Sequence, residues 1–258
     1  GAGMIGRPGV AAQMFTTLAE AGVNIQMIST SEVKVSCVVD ADDGDRAIAA
    51  LCCAFDVNSS PIQSRGAGEQ RSRGEYQSLF SPAHPPTCPP APVRGVALDL
   101  KQARVAIRYV PDRPGMAAKI FQQLAKQNIS VDMIIQSQRC RIVDGTPRRD
   151  IAFTVAQADA EAAKNTLLAV IEEIGCGEVV VDSAIAKVSA VGTGMEGQPG
   201  VAARLFEALA QHQINIQMIA TSEIKISCVV DQDQGVTALQ AIHSAFGLSG
   251  SQKIQVPA

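Results

Sequence analysis

Tryptophan is absent from this sequence, and tyrosine, phenylalanine and histidine number only 2, 7 and 3 among 258 residues. An aromatic fraction of 3% leaves little with which to stack nucleobases. The net charge of −3 has its signs interspersed, so no basic face marks a nucleic acid or anionic lipid as partner. No run approaches the roughly 20 apolar residues that cross a bilayer. The opening Gly1-Ala2-Gly3 has no basic segment ahead of an apolar run, the mark of a secretory signal. The seven cysteines are odd in number and none has CxxC spacing, which excludes a metal knuckle or a regular disulfide framework. Cys37 and Cys228 stand inside apolar runs and read as small buried hydrophobes, whereas Cys88 is expected to be exposed. This cysteine usage points to a reducing cytoplasm. His84, His212 and His243 have no Ser, Cys or acid at a catalytic spacing, and there is no phosphate-binding loop. The residues favour binding over turnover.

What the chain does have is a repeat. Residues 1–57 and 192–248 align without a gap, and more than half of the positions are identical. Asn24-Ile25-Gln26-Met27-Ile28 recurs as Asn215-Ile216-Gln217-Met218-Ile219, and Ser36-Cys37-Val38-Val39-Asp40 as Ser227-Cys228-Val229-Val230-Asp231. A third copy lies between them, where Arg113-Pro114-Gly115-Met116-Ala117-Ala118 matches Arg7-Pro8-Gly9-Val10-Ala11-Ala12. Phe121, Leu124 and Met133 then fall on Phe15, Leu18 and Met27.

Periodicity gives each copy its elements. In the last copy, 187–191 alternates as a short strand and a glycine-rich turn follows, with Pro199 at the first helical position. Val201, Leu205 and Leu209 form a helical stripe. Segments 215–220 and 224–230, parted by Thr221-Ser222-Glu223, read as an antiparallel hairpin. A second helix over 236–246 and a closing strand over 253–256 complete a β-α-β-β-α-β order. The expected architecture is α+β: ferredoxin-like βαββαβ modules, antiparallel sheets with helices on one face, paired side by side. Because the middle copy has a longer hairpin, with an Asp144-Gly145-Thr146-Pro147 turn, the expected pair is a long-hairpin module with the short-hairpin module after it.

The predicted boundaries are a first module over 1–57, a linker over 58–94, a middle module over 95–183 and a last module over 184–258. The linker holds seven of the 13 prolines and has no apolar period, so it is expected to be extended or disordered. The first module begins without the strand that precedes its twin. That implies an upstream portion carrying this strand and a long-hairpin partner.

Gly1-Ala2-Gly3-Met4-Ile5-Gly6 and Gly192-Thr193-Gly194-Met195-Glu196-Gly197 both satisfy G-x-G-x-x-G. A dinucleotide site would need a parallel crossover and an acidic residue ending the next strand. A hairpin follows instead, and that strand ends Ile28-Ser29-Thr30, so the glycines read as a tight turn. The helix start after such a turn is chemically useful, because its free N–H groups and dipole favour a carboxylate. In the middle copy Asp112 stands at this turn. Its carboxylate would hold an ammonium beside those N–H groups, or would only cap its own helix. Glu32 and Glu223 read as solvated or hairpin-capping groups.

These residues resemble a family. Lys187–Met195, Gln198-Pro199-Gly200-Val201 and Asn215–Ser227 are similar to the second ACT domain of aspartate kinases. Pro111-Asp112-Arg113-Pro114-Gly115, Asp132–Gln136 and Val143-Asp144-Gly145 resemble the first. The resemblance spans nearly the whole chain except the linker. It implies an allosteric region binding lysine and/or threonine, for feedback inhibition of an enzyme that phosphorylates the aspartate β-carboxylate. By resemblance, effectors lie between paired modules: Asp112, Gly115, Ala117, Asp132 and Gln136 facing Asn215 and Ile216, with Asn24 and Ile25 in the matching role in the first copy. Residues 96–100 would join the sheet of the last module, and ACT pairing would give a homo-oligomer. Tandem pairs of this kind are similar to the duplicated regulatory regions of some cyanobacterial aspartate kinases. The kinase domain, which would hold ATP and magnesium, is absent from this chain, so no cofactor is expected within it. Ser130 stands where the other copies have Asn24 and Asn215, so the two module types are not assumed to share an effector. The competing readings are an assembly module that takes no ligand and a stand-alone amino-acid-responsive regulator.

Overall fold

A computed structural model describes residues 9–31, 34–57, 92–137, 140–175, 177–193, 195 and 198–248. The opening residues 1–8, the proline-rich stretch 58–91 with His84 and Cys88, Glu32, Gly194, Glu196 and Gly197 of the second glycine-rich segment, and the closing strand expected over 253–256 lie outside these residues.

Each copy folds on its apolar spacing. The first supplies α1 (Val10–Glu20), the hairpin β1 (Met27–Ser31) and β2 (Lys34–Val38), and α2 (Gly44–Ala54). Strand β3 (Gly95–Asp99) follows the linker. The middle copy supplies β4 (Gln102–Pro111), α3 (Met116–Lys126), β5 (Val131–Gln136), β6 (Arg141–Val143), β7 (Thr146–Ala156), α4 (Ala160–Ile174) and β8 (Glu178–Asp182). The last supplies β9 (Ile185–Val191), α5 (Val201–Gln211), β10 (Met218–Thr221), β11 (Lys225–Asp231) and α6 (Gly235–Ala245). In α3 the buried Met116, Ile120 and Leu124 recur four apart, with Ala117 and Phe121 beside them, so one face meets the sheet. The long hairpin turns at Asp144 and Gly145, both at positive φ (49° and 73°), the geometry that suits the twist of a tight hairpin.

Helix starts depart from the sequence reading in one respect. The residue before α5 is Gly200, at φ 93°, so Pro199 lies just outside the helix rather than opening it. Gly9 and Gly115 hold the same place at φ 98° and 90°. The turn needs a left-handed residue there, which glycine adopts without steric cost.

Two antiparallel sheets result. The first has the order β2-β1-β5-β7-β4-β8, with β6 hanging from β7. The second has the order β10-β11-β9-β3. Strand β3 thus completes the last module's sheet although it precedes the middle module in the chain, pairing with β9 from Gly95↔Val191 to Asp99↔Lys187. Gly192, at the end of β9, permits this close approach. A Cβ there would lie 2.1 Å from the Pro92 carbonyl oxygen. Gly192 therefore serves close backbone packing.

The pairing of modules differs from the sequence expectation. The middle module pairs side by side with the first module, not with the last. Strand β1 extends the middle sheet beside β5 with Ser29 opposite Ile135, and α1 packs along α3. Phe15 of α1 stacks at 5.3 Å on Phe121, which in turn meets Phe153 at 5.2 Å. The seam is closed by a side chain: the Thr30 hydroxyl donates to the Asp132 carbonyl (2.9 Å) and accepts from the Ile134 N–H (2.6 Å).

The last module instead packs sheet against sheet on the face away from the helices. The contact is built on Met133, Ile185, Met218, Ala220 and Val229. Apolar residues on both faces of these strands dictate this arrangement, because the face not covered by helices must also leave water. The result is four layers, helices outside and two sheets within.

Candidate functional site: a pocket between the first and middle modules

The bulged end of β4 aims the next residues across the module seam. Its register shifts between Ile107 and Val110, and Tyr109 sits at φ 59°. Asp150 accepts the Tyr109 N–H (2.9 Å) and Arg148 donates to the Tyr109 carbonyl (3.1 Å), so the kink is held on both sides. Beyond it the chain crosses Pro111 and Asp112 into the N-terminus of α3, whose first N–H groups have no partner within the helix.

Asp112 is the charged centre of the pocket. Its side chain is 11% exposed and both oxygens are engaged. Asn24 Nδ2 of the first module donates to Oδ1 (3.3 Å), and Arg149 Nε donates to Oδ2 (2.7 Å). Arg149 Nη1 also donates to the Gln26 carbonyl (3.1 Å). Gln136, at the end of β5, is 8% exposed and donates from Nε2 to the Ile25 carbonyl (3.3 Å). Phe15, Val23 and Ile25 from the first module and Met116, Ala117 and Ile151 from the middle one form the apolar walls. The free space they enclose is about 20 Å³, enough for a water molecule.

Asp112, Gly115, Ala117, Gln136, Asn24 and Ile25 come together here. The other three residues named from the sequence lie elsewhere. Asp132 does not line this pocket; its carboxylate meets the buried Lys187 Nζ (2.6 Å) between the two sheets. Asn215 is exposed on the last module and Ile216 packs against that module's own core. They do not face Asp112, because the first module occupies that side. The sequence reading missed Arg149. Its only signal was a basic residue on the strand beside the Asp112 turn, which cannot be read without knowing that β7 neighbours β4 in the sheet.

Among the described residues no cluster of three or more His, Cys, Asp or Glu is placed to hold a metal. Burial pushes the Cys37 and Cys228 thiols up to about 12, as befits side chains packed among apolar neighbours. Glu223 forms an exposed ion pair with Lys34 (3.8 Å). Among the described residues no helix is long and apolar enough to cross a membrane.

Comparison with known proteins agrees with this architecture. The family described as the ACT domain matches residues 1–55, 108–169 and 188–246. An aspartate kinase of Pseudomonas fluorescens (strain SBW25) is 46% identical over 156 residues, 60% of this chain and 37% of the relative. An aspartokinase of Thermus thermophilus is 45% identical over 161 residues, 60% of this chain and 38% of the relative. The chain thus spans somewhat more than a third of these relatives. A crystal structure of aspartate kinase from Synechocystis superposes with a TM-score of 0.81 at 60% identity, covering 100% of this chain and 40% of that one. The ligand-free regulatory subunit of Thermus thermophilus aspartate kinase superposes with a TM-score of 0.55 at 46% identity, covering 60% of this chain and 99% of the subunit. Three matched segments account for most of the chain and coincide with the three folded modules: the chain belongs to the ACT-domain family and is built like the regulatory region of aspartate kinases.

Proposed function

We propose that this chain is the amino-acid-sensing part of an aspartate kinase, and that free lysine and/or threonine binds between its first and middle modules to restrain an attached kinase domain. The observation that carries this reading is the composition of the pocket. A carboxylate 11% exposed stands beside the open N-terminus of α3, which offers an ammonium and a carboxylate of one zwitterion their separate partners. Asn24 and Gln136 bring polar groups to the same seam from both modules. A ligand there touches two modules at once, so it stabilises one relative placement of them, which is the basis of a two-state response. Such a sensor works in the cytoplasm, where the free amino-acid pool is.

The test is calorimetric titration of the chain with lysine, threonine, methionine and aspartate. Saturable binding of lysine or threonine is expected, and Asp112→Ala should weaken it at least tenfold, about 1.4 kcal/mol. An Asp112→Ala variant that binds as tightly as the parent sinks the assignment. If a folded chain binds none of the four, the ligand-free assembly reading takes its place.

The same repeat supports a partner for the last module. Residues that the middle module covers on the first module have bare twins on the last. Ile28 is 1% exposed and Ile219 40%; Ala12 is buried and Ala203 exposed; Asn24 is half-buried and Asn215 exposed. A long-hairpin ACT module fits this bare face, whether from the rest of the polypeptide or from a second copy in a homo-oligomer.

A further inference from the structure

Building on the amino-acid-sensing reading, we infer that Arg149 is an internal stand-in for the effector's ammonium group, and that binding requires its expulsion from Asp112. The two would compete for the same atoms. Arg149 Nε already occupies Oδ2 of Asp112 at 2.7 Å, and Asn24 holds Oδ1. The remaining free space of about 20 Å³ is that of one water, far below any α-amino acid. An entering zwitterion must therefore displace a group, and the guanidinium is the one whose charge its ammonium replaces.

The exchange is like for like. A half-sequestered carboxylate stripped of its cation is costly, but here one cation leaves as another arrives, so Asp112 is never left alone. Arg149 is 17% exposed, so its head group lies close to solvent and needs no large movement to reach it. Its departure also breaks the Nη1 bond to the Gln26 carbonyl, which ties β7 to the first module. Occupancy of the pocket is thereby converted into loss of one clasp between the modules. Selectivity follows as well. A ligand with a free ammonium competes for Asp112; a molecule of similar shape without one leaves Arg149 in place.

A self-bound pocket has its apparent affinity lowered by the fraction of chains in which it is open. Removing the competitor raises that fraction and leaves Asp112 seeking a cation. Arg149→Gln should accordingly bind threonine or lysine about 3- to 10-fold more tightly than the parent. N-acetylthreonine should bind neither protein measurably. Calorimetry on the full 258-residue chain, on Arg149→Gln and on Asp112→Asn gives the affinities. The Arg149 Nε–H resonance of the parent, followed by NMR during titration with threonine and with lysine, gives a readout that does not depend on the variant's folding. Its shift to a solvent-exchanging position at saturation with the ligand that binds supports the exchange.

Tighter binding by Arg149→Gln, with binding lost in Asp112→Asn, establishes the stand-in. Unchanged or weaker binding by a folded Arg149→Gln, or an Nε–H signal unmoved at saturation, overturns it while the sensor reading survives through Asp112→Asn. Failure of parent and variants alike to bind any amino acid overturns both.

Discussion

Lys187 shows what a single buried side chain decides in this molecule. It points from β9 into the space between the sheets, is 8% exposed and meets Asp132 Oδ2 at 2.6 Å, with Asp99 Oδ2 4.0 Å away. Asp132 belongs to β5 and its carbonyl accepts the Thr30 hydroxyl, so one residue joins all three modules. The pair is not fully withdrawn from water, since the Asp132 side chain is 25% exposed. Lys187→Met should lower stability by about 1–3 kcal/mol, read as a fall in the urea midpoint, because Asp132 then keeps its charge without its partner. Adding Asp132→Asn should recover part of the loss, and the double-mutant cycle measures the coupling. If Lys187→Met is silent, the pair is incidental to how the sheets are held. The family resemblance implied Asp132 as an effector ligand, and its pairing with Lys187 was illegible, since Lys187 is 55 residues away and on another sheet.

Strand β3 is an element whose place in the last module's sheet the family resemblance implied and the structure bears out, in register against β9. Segment 95–99 has no helix beside it in the chain, yet it fills the position on β9 that β8 fills on β4 in the middle module. The backbone before it runs against Gly192, and Arg94 N–H donates to the Val191 carbonyl (2.8 Å). Gly192→Ala should place a methyl group against the Pro92 carbonyl and push β3 off its neighbour, at a cost of about 2 kcal/mol. Hydrogen exchange should then speed up across 95–99 while the middle module keeps its protection. Equal exchange in variant and parent would show that the turn yields to a methyl at no cost. The helical stripes were plain from the chain because apolar spacing of four is local, whereas the left-handed glycine before each helix, at φ near 90°, came from the structure.

At the scale of the whole molecule, two copies with more than half of their positions identical end in different surroundings. Ile28 is enclosed where α1 and β1 meet the middle module, while Ile219 is 40% exposed. Ile28→Glu should destabilise the chain by more than about 3 kcal/mol, since it buries an uncompensated charge. Ile219→Glu should change stability by no more than about 0.5 kcal/mol. Denaturant midpoints compare them directly, and equal losses would contradict the asymmetric burial. In an intact aspartate kinase, Ile219→Glu should instead weaken assembly, visible as a smaller species by light scattering, if the bare face is a docking surface.

The chain by itself determined that there are three modules and the order of the described strands and helices within them. These depend on local backbone preference and on apolar period, and repetition makes both visible. Only the tertiary structure decided which modules meet. The middle copy could extend its sheet with either neighbour as far as pattern is concerned, because both offer the same Asn-Ile-Gln-Met-Ile edge. The outcome rests on what lies behind each edge. The last module's sheet takes β3 along one side and buries Met218 and Val229 against Met133, and Phe15 of the first module then packs on Phe121. Contacts between distant residues choose between equal local patterns, and so Asn24, not its twin, is the partner of Asp112.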